Sequence, residues 1–493
     1  MGSDLHDDTD VILAQSFRFE SVPSDSSILF GNYEPISSQS EASRPYSSVK
    51  LLGTSEGADI GSDIWVRGRV AGIRMKGNAC FLILRCETFY TIQACHFKVK
   101  SSPDESKRFM RFVNSIGAES IVDVHGTLVN ANVKSCTQGN VEIQMNKVLV
   151  VSRAPSQLPF TIEDASRSNV DTDGGPVDPT QGIVGQELRL DNRWLDLRVP
   201  ANNAIMRIKS GVLQLFRESL YKNSFIEINT PKLIAGQSEG GSEVFKTDYF
   251  GQSACLAQSP QLYKQMAISA DLQRVFEVGP VFRAEKSMTR RHLCEFVGLD
   301  IEMEIKQHYN ETLLVLHKLF QDIFIGLESR FSAELAVIRH QYPSSPVVFT
   351  EKPLIIHWQD GLKLLRSNGI EAGDYDDLST AQEIALGAIV KEKYHSDFFI
   401  LDQYPSAVRP FYTMLNPDDV NYSNSYDIFI RGQEICSGAQ RCHDPVLLER
   451  AIRAKGVDPD SIRHYIDSFR HGISPHAGAG IGLERVVFLY LGW

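Results

Sequence analysis

Four short stretches combine residue types suited to a substrate rich in phosphate. In Val281–Asp300, VFRAEKSMTRRHLCEFVGLD, a strand is expected to carry Arg283 and Glu285 on one face, beside Ala284. A polar turn follows, and a second strand returns with Arg291, His292, Leu293, Glu295 and Phe296. A planar guanidinium can bridge a phosphate and a carboxylate through paired hydrogen bonds, and Phe296 offers a flat face to a base. In Gly480–Arg485, GIGLER, glycines allow close backbone approach where a helix begins. There Gly482, Leu483 and Glu484 lead to Arg485, a cation in a first turn where an anion would suit the helix dipole better. A buried anionic ligand would account for it. Tyr426–Arg441, YDIFIRGQEICSGAQR, sets Asp427 and Glu434 near a glycine-containing turn, ahead of Ser437 and Arg441. Such carboxylates suit magnesium shared with substrate phosphates. Finally, Ser238–Gly241 (SEGG) with Gln258–Gln265 (QSPQLYKQ) gathers Ser238, Glu239, Gln261 and Lys264 into polar sequence. Each stretch taken alone is more often a surface salt bridge, a tight turn, a solvated hairpin or a capped helix start.

The elements that must position these residues fall into segments. Residues 1–61 are rich in Ser and Asp without periodicity and are expected to form a mobile tail. In residues 62–152, strands are expected at Ile64–Arg74, Ala79–Cys86, Phe89–Phe97, Ser120–Val129 and Val141–Val151. A helical pattern, Asp104–Ile116, lies between the third and fourth strands. That order matches an all-β OB-type barrel, with an SH3-like barrel as competitor. Residues 153–199 are linker-like, most of all Ser166–Gly182, and order resumes at Leu188–Arg198. From 200 to 493 the pattern is α+β with a largely antiparallel sheet. Helices are expected at Ala204–Tyr221, Asn310–Phe331, Arg463–Phe469 and Leu483–Leu491. Strands are expected at Phe225–Leu233, Cys255–Gln258, Val275–Arg283, Leu299–Ile305, Phe398–Leu401, Ser425–Arg431 and Glu434–Arg441. No Walker-type or Rossmann glycine fingerprint is present, so a nucleotide site must be built differently.

Composition excludes several classes. No uncharged apolar run approaches bilayer-spanning length, so no membrane segment is expected. The start, MGSDLHDDTD, has neither signal-peptide nor transit-peptide character, which points to the cytoplasm. The eight cysteines form no CxxC pair, so a zinc or redox site has little support. The net charge of −11 argues against nucleic acid until its distribution is considered. Acids dominate residues 1–60, whereas Arg67, Arg69, Arg74, Lys76, Arg85, Lys98 and Lys100 outnumber Asp63 and Glu87 in residues 61–100. Local sign decides which surface can meet phosphates.

In combination and in order, the motifs closely resemble class II aminoacyl-tRNA synthetases. Phe225–Leu233 with Pro231 looks like the first, dimer-forming motif, FRAE with its return strand like the second, and GIGLER like the third. The likeness spans roughly residues 62–491 and is nearest to the aspartyl enzymes of eukaryotic cytosol (subclass b). It rests on SEGGSEVF, AQSPQLYKQ, FEVGPVFRAE, CEFVGLD, RPFYTM, YSNSYD, SGAQR and GIGLERVV. The resemblance implies a homodimer with a catalytic antiparallel sheet and an anticodon-binding OB barrel. Its substrates would be ATP with Mg2+, L-aspartate and tRNA(Asp). It implies that Arg283 binds the α-phosphate and reacting carboxylate, and that Ala284, Glu285, Arg291, His292 and Leu293 shape the nucleotide pocket with Phe296 on adenine. Gly482, Leu483 and Glu484 would line the nucleotide site, Arg485 would hold the γ-phosphate end or adenine face, and Asp427 and Glu434 the metal. Glu239, with Ser238 and Gln261, would bind the substrate ammonium, and Ser437 would face the aspartate. Lys264 and Arg441 would pair with the side-chain carboxylate, oriented by Asp300, and would make asparagine costly by about 3 kcal/mol. In the barrel it points to Arg74, Phe81 and Gln93 as anticodon readers, although burial preference alone would make Phe81 core.

Arg290 stands where the family usually has His, and Gln433 where it usually has Glu. The family's Arg- and Pro-containing tail beyond Leu491–Trp493 and its lysine-rich N-terminal extension are not seen, so weaker activity and tRNA affinity are expected. Two alternatives follow: a catalytically weakened paralogue that binds aspartate or tRNA, and an asparaginyl-tRNA synthetase, against which Lys264 and Arg441 argue.

Overall fold

The computed structural model describes residues 29–32, 45–168, 183–235, 244–285 and 293–493. It divides into two compact units, Met1–Asn203 and Ala204–Trp493.

In the first unit, strands β1 (Phe30–Asn32), β2 (Asp63–Lys76), β3 (Ala79–Cys86), β4 (Tyr90–Phe97), β5 (Ile121–Asn130) and β6 (Val141–Ser152) form one sheet. Its order is β1-β6-β4-β3-β2-β5, and an added β5–β6 pairing closes the barrel. The alternation legible in the sequence is the reason. Ile64, Val66 and Val70 of β2 point inward to meet Leu82, Leu84, Ile92, Val122, Val124 and Ile143. The helix Pro103–Asn114 starts at a proline, whose missing N–H costs nothing in a first turn, and buries Phe109, Met110 and Val113.

The expected tail does not run unbroken to residue 61. Phe30–Asn32 pairs in parallel with Val148–Val150, and the Phe30 ring lies 5.7 Å from Phe109 and 5.3 Å from Phe112. Val49 and Leu52 are buried in the barrel core. These isolated apolar residues have no periodicity of their own and gain a place only once the barrel edge exists. The rest of that segment, 1–28 and 33–44, lies outside the described residues. So do residues 169–182 of the expected linker. Its flanks contain short helices, among them Gln186–Asp191 and Arg193–Asp196, tied by Arg189 and Arg193 to the buried Asp196.

The second unit contains β7 (Ile226–Glu227), β8 (Leu233–Ile234), β9 (Lys246–Tyr249), β10 (Gln252–Leu256), β11 (Arg274–Phe282), β12 (Glu295–Glu304), β13 (Ile355–His357), β14 (Phe398–Asp402), β15 (Ser425–Ile430), β16 (Gln433–Gln440) and β17 (His476–Gly482). Eight of these make a sheet in the order β13-β14-β15-β16-β17-β12-β11-β7, antiparallel except at its two ends. The helix Asn310–Arg330 turns Leu313, Leu316, Phe320, Ile323, Phe324 and Leu327 into the core. The expected strand Phe225–Leu233 is mostly irregular, because Pro231 lacks the N–H a ladder needs.

Strand β17, HAGAGIG, was not expected, since Gly and Ala are poor strand formers. Here close approach demands them. A Cβ at Gly478 would lie 2.1 Å from Glu302 Oε2 and 2.3 Å from the Ile301 carbonyl oxygen. One at Gly438 of β16 would meet the Tyr426 ring at 2.3 Å. Gly478→Ala should therefore lower stability by about 2 kcal/mol through overpacking against backbone, read as a fall in melting temperature.

Candidate active site

The middle strands of the large sheet, with the helices at their ends, wall a cavity of about 850 Å³. On β12, Asp300 and Glu302 are two residues apart and so project to one face. Lys264 reaches them from the helix Gln261–Ser269. Its ammonium donates to Asp300 Oδ1 at 2.9 Å and to the Ala479 carbonyl at 3.1 Å, and lies 3.5 Å from Glu302. Arg441, just past β16, donates to both Glu302 oxygens at 2.9 and 3.1 Å. All four side chains are almost wholly buried. Burial opposes charge on Arg441, but Glu302 outweighs it and the guanidinium holds its proton more tightly than usual. Burial likewise opposes charge on Glu302, and Arg441 with Lys264 holds its carboxyl below the usual range. The arrangement corrects one expectation: Asp300 anchors Lys264, while Arg441 is held by Glu302. The signal for Glu302 was present in the i, i+2 spacing from Asp300.

Beneath this cluster His476 Nδ1 donates to the Ser474 carbonyl at 2.7 Å, and Nε2 accepts from Gln265 Nε2 at 3.0 Å, a pattern that fixes the neutral ring. Desolvation pushes His476 down to about 4, against the opposing pull of Glu302.

At the other end, Arg283 and Glu285 follow β11 rather than lying on it, although the Arg283 N–H still bonds Cys294 across the hairpin. The Arg283 guanidinium lies 5.4 Å from the centre of the Phe296 ring. Both line the cavity with Glu285, Leu293, Gly482, Glu484 and Arg485. Arg485 donates to the Glu434 carbonyl at 3.1 Å and stands 4.0 Å from its carboxylate. Glu484 is engaged structurally, accepting from Lys209 at 2.7 Å and from the Val297 N–H at 3.0 Å. Leu483 is core, and Ala284, half-buried, is not among the lining residues.

Asp427 and Glu434 lie on adjacent strands. Arg409, which sequence reasoning passed over within RPFYTM, grips Asp427 at 2.7 and 3.2 Å, reaches Ser437 Oγ at 3.2 Å and sits 3.8 Å over the Tyr404 ring. Its loop has no periodicity that would have marked it. Glu434 is pushed up to about 7, by desolvation first and then by the Asp427 charge. Gln261 and Ser437 line the cavity. Ser238, Glu239, Arg290, Arg291 and His292 lie outside the described residues.

On the barrel, Arg74 lies 5.3 Å from the Phe81 ring centre. Gln93 is buried and donates to Glu142 Oε2 at 2.7 Å, a partner the sequence reading missed.

The model for class II tRNA synthetases (D, K and N) matches residues 185–493, and one for the OB-fold nucleic acid binding domain matches residues 64–151. The chain belongs to the class II tRNA synthetases. This synthetase is 47% identical, over 94% of its length and 87% of the relative's, to a cytoplasmic aspartate–tRNA ligase of Caenorhabditis elegans. An aspartyl-tRNA synthetase structure from Entamoeba histolytica superposes on it with a TM-score of 0.85 at 45% identity, covering 95% of this chain and 93% of that one. An asparaginyl-tRNA synthetase from Pyrococcus horikoshii, complexed with asparaginyl-adenylate, reaches 0.72 at 28% identity, covering 91% and 95%.

Because buried His476 of this synthetase resists protonation while an unfolded His titrates near 6.5, its contribution is complete above that value and declines as pH falls toward 4. Between pH 7.5 and 5, urea unfolding should cost the wild type about 2 kcal/mol more stability than His476→Gln.

Proposed function

We propose that this synthetase is an aspartate–tRNA ligase that works in the cytoplasm, converting L-aspartate and ATP to aspartyl-adenylate and passing the aspartyl group to the 3′ end of tRNA(Asp). The observation that carries this reading is the buried set of Lys264, Arg441, Asp300 and Glu302, of which Arg441 and Asp300 line the cavity. Arg441 has five N–H donors and Glu302 takes two of them, whereas the Lys264 ammonium is spent on Asp300, the Ala479 carbonyl and the nearby Glu302 and does not line the cavity. The remaining donors suit an acidic side chain. The four charges balance, so an incoming carboxylate is stabilised by oriented donors rather than by bare cations. An amide in its place presents an N–H2 group to donors, which argues for aspartate over asparagine. The relatives named above point the same way, and the cytoplasmic one supports the assignment of compartment. No described helix is long and apolar enough to cross a membrane.

In this reading Arg283 bridges the ATP α-phosphate and the aspartate α-carboxylate, drawing two anions into contact, and it also braces Phe296 against adenine. Glu285, Leu293 and Gly482 shape the nucleotide site, and Arg485 takes the far phosphates. Gln261 and Ser437 position the amino acid. The α-carboxylate attacks the α-phosphorus and pyrophosphate leaves, with little proton transfer required. Asp427 and Glu434 fit magnesium. Burial first and the Asp427 charge second raise Glu434, so a cation there would favour its charged form, although Arg409 already pairs with Asp427; magnesium takes few protein carboxylates when phosphates complete its shell. Bound there, it would neutralise phosphate charge. Exposed Met206, Tyr221, Ile226 and Leu233, from the helix Pro200–Lys222 and strands β7 and β8, support a homodimer. Arg74, Phe81 and Gln93 are assigned to the anticodon, with Phe81 as a stacking face.

ATP–pyrophosphate exchange tests the reading. Exchange should require L-aspartate and fall roughly a hundredfold or more in Arg283→Gln. Exchange that proceeds equally without aspartate contradicts it.

A further inference from the structure

The barrel carries an aromatic side chain that no assigned role accounts for. Phe97, at the end of β4, is 54% exposed, an unusual state for a phenylalanine on a strand. Register places it with the assigned RNA readers. Ala79 pairs with Phe97 and Lys76 with Ala79, so Lys76, Ala79 and Phe97 form one row across β2, β3 and β4. In the next row Arg74 pairs with Phe81, and Phe81 with Cys95. In the row beyond, Ile83 pairs with Gln93, and Gln93 with Glu142. Residues 93, 95 and 97 share a face by strand alternation, and rows two residues apart are about 7 Å apart along the strand.

The Phe97 and Phe81 rings are 6.2 Å apart and nearly perpendicular, at 88°. An edge-to-face pair fixes both rings and leaves a broad face of one open. Phe81 already has the Arg74 guanidinium near it, whereas Phe97 stands further out. Exposed Arg74, Lys76, Lys98 and Lys100 surround this end of the β2–β3 hairpin and the residues after β4, giving it the sign that meets phosphates. The Lys98 N–H bonds the Asn78 carbonyl at 2.8 Å, which ties the strand end to the hairpin and holds the aromatic in place. An exposed ring on a braced strand, ringed by cations, suits a stacked base of single-stranded RNA better than a protein partner's apolar surface.

We propose that Phe97 is a second stacking platform, extending the face that carries Gln93 and Phe81 outward by one row so that one further unpaired base of the tRNA anticodon loop stacks on it. The inference rests on the assignment of this face to the anticodon. Stacking on an aromatic tolerates any base, so Phe97 supplies affinity rather than discrimination.

Binding of a tRNA(Asp) transcript to the full-length protein at fixed salt tests it, with melting temperatures showing that each variant is folded. Phe97→Ala and Phe97→Leu should both weaken binding roughly tenfold or more, and Phe97→Tyr should restore it, because the effect follows the π-face rather than apolar bulk. Phe97→Ala or Phe97→Leu binding like wild type while Phe81→Ala is weakened would overturn the role of Phe97 and leave the anticodon face standing. No effect from either Phe81→Ala or Phe97→Ala would overturn both.

Discussion

The active site depends on burying two cations and two carboxylates together. An isolated charge in this interior would be very costly, and removing one member of a buried pair typically costs 3–5 kcal/mol. Lys264 with Asp300 and Arg441 with Glu302 solve that problem by mutual pairing, and the pairing dictates the surrounding chain. Strand β12 presents both carboxylates on one face. Its neighbour β17 must then be nearly free of side chains, because the Glu302 carboxylate lies where a Cβ on Gly478 would sit. His476 at the head of β17 stays neutral beneath the cluster and adds no third cation.

The same constraint links fold to chemistry. Lys264 comes from a helix, Asp300 and Glu302 from a central strand and Arg441 from the end of another, so the cluster exists only when the antiparallel sheet is complete. A second balanced arrangement recurs along the same cavity, where Arg409 grips Asp427 against the Tyr404 ring and Arg485 approaches Glu434. Fixed dipoles and charges of this kind need not reorganise when anions arrive, so the proposed function does not require a glycine-rich phosphate loop.

Much of this was legible in the sequence, and the rest was hidden for identifiable reasons. The five barrel strands showed in their alternation, and the motifs around Arg283, Glu434 and Arg485 showed in residue type and order. Strand β17 was hidden because its composition obeys a packing demand from Glu302, which propensity cannot see. Arg409 lies in an irregular loop, and its partners are 18 and 28 residues away in sequence. Phe30, Val49 and Leu52 belong to the barrel by tertiary contact alone, in a segment whose composition signals disorder. Glu302 was within reach, since strand periodicity puts it beside Asp300.

In the proposed function Arg441, oriented by Glu302, recognises an acidic side chain. The ratio of kcat/KM for aspartate to that for asparagine in pyrophosphate exchange tests it most directly, because the ratio does not depend on how much enzyme is active. Arg441→Met should collapse the wild-type preference by roughly a hundredfold. An unchanged ratio in that variant would mean the buried cations hold the fold together and do not choose the substrate.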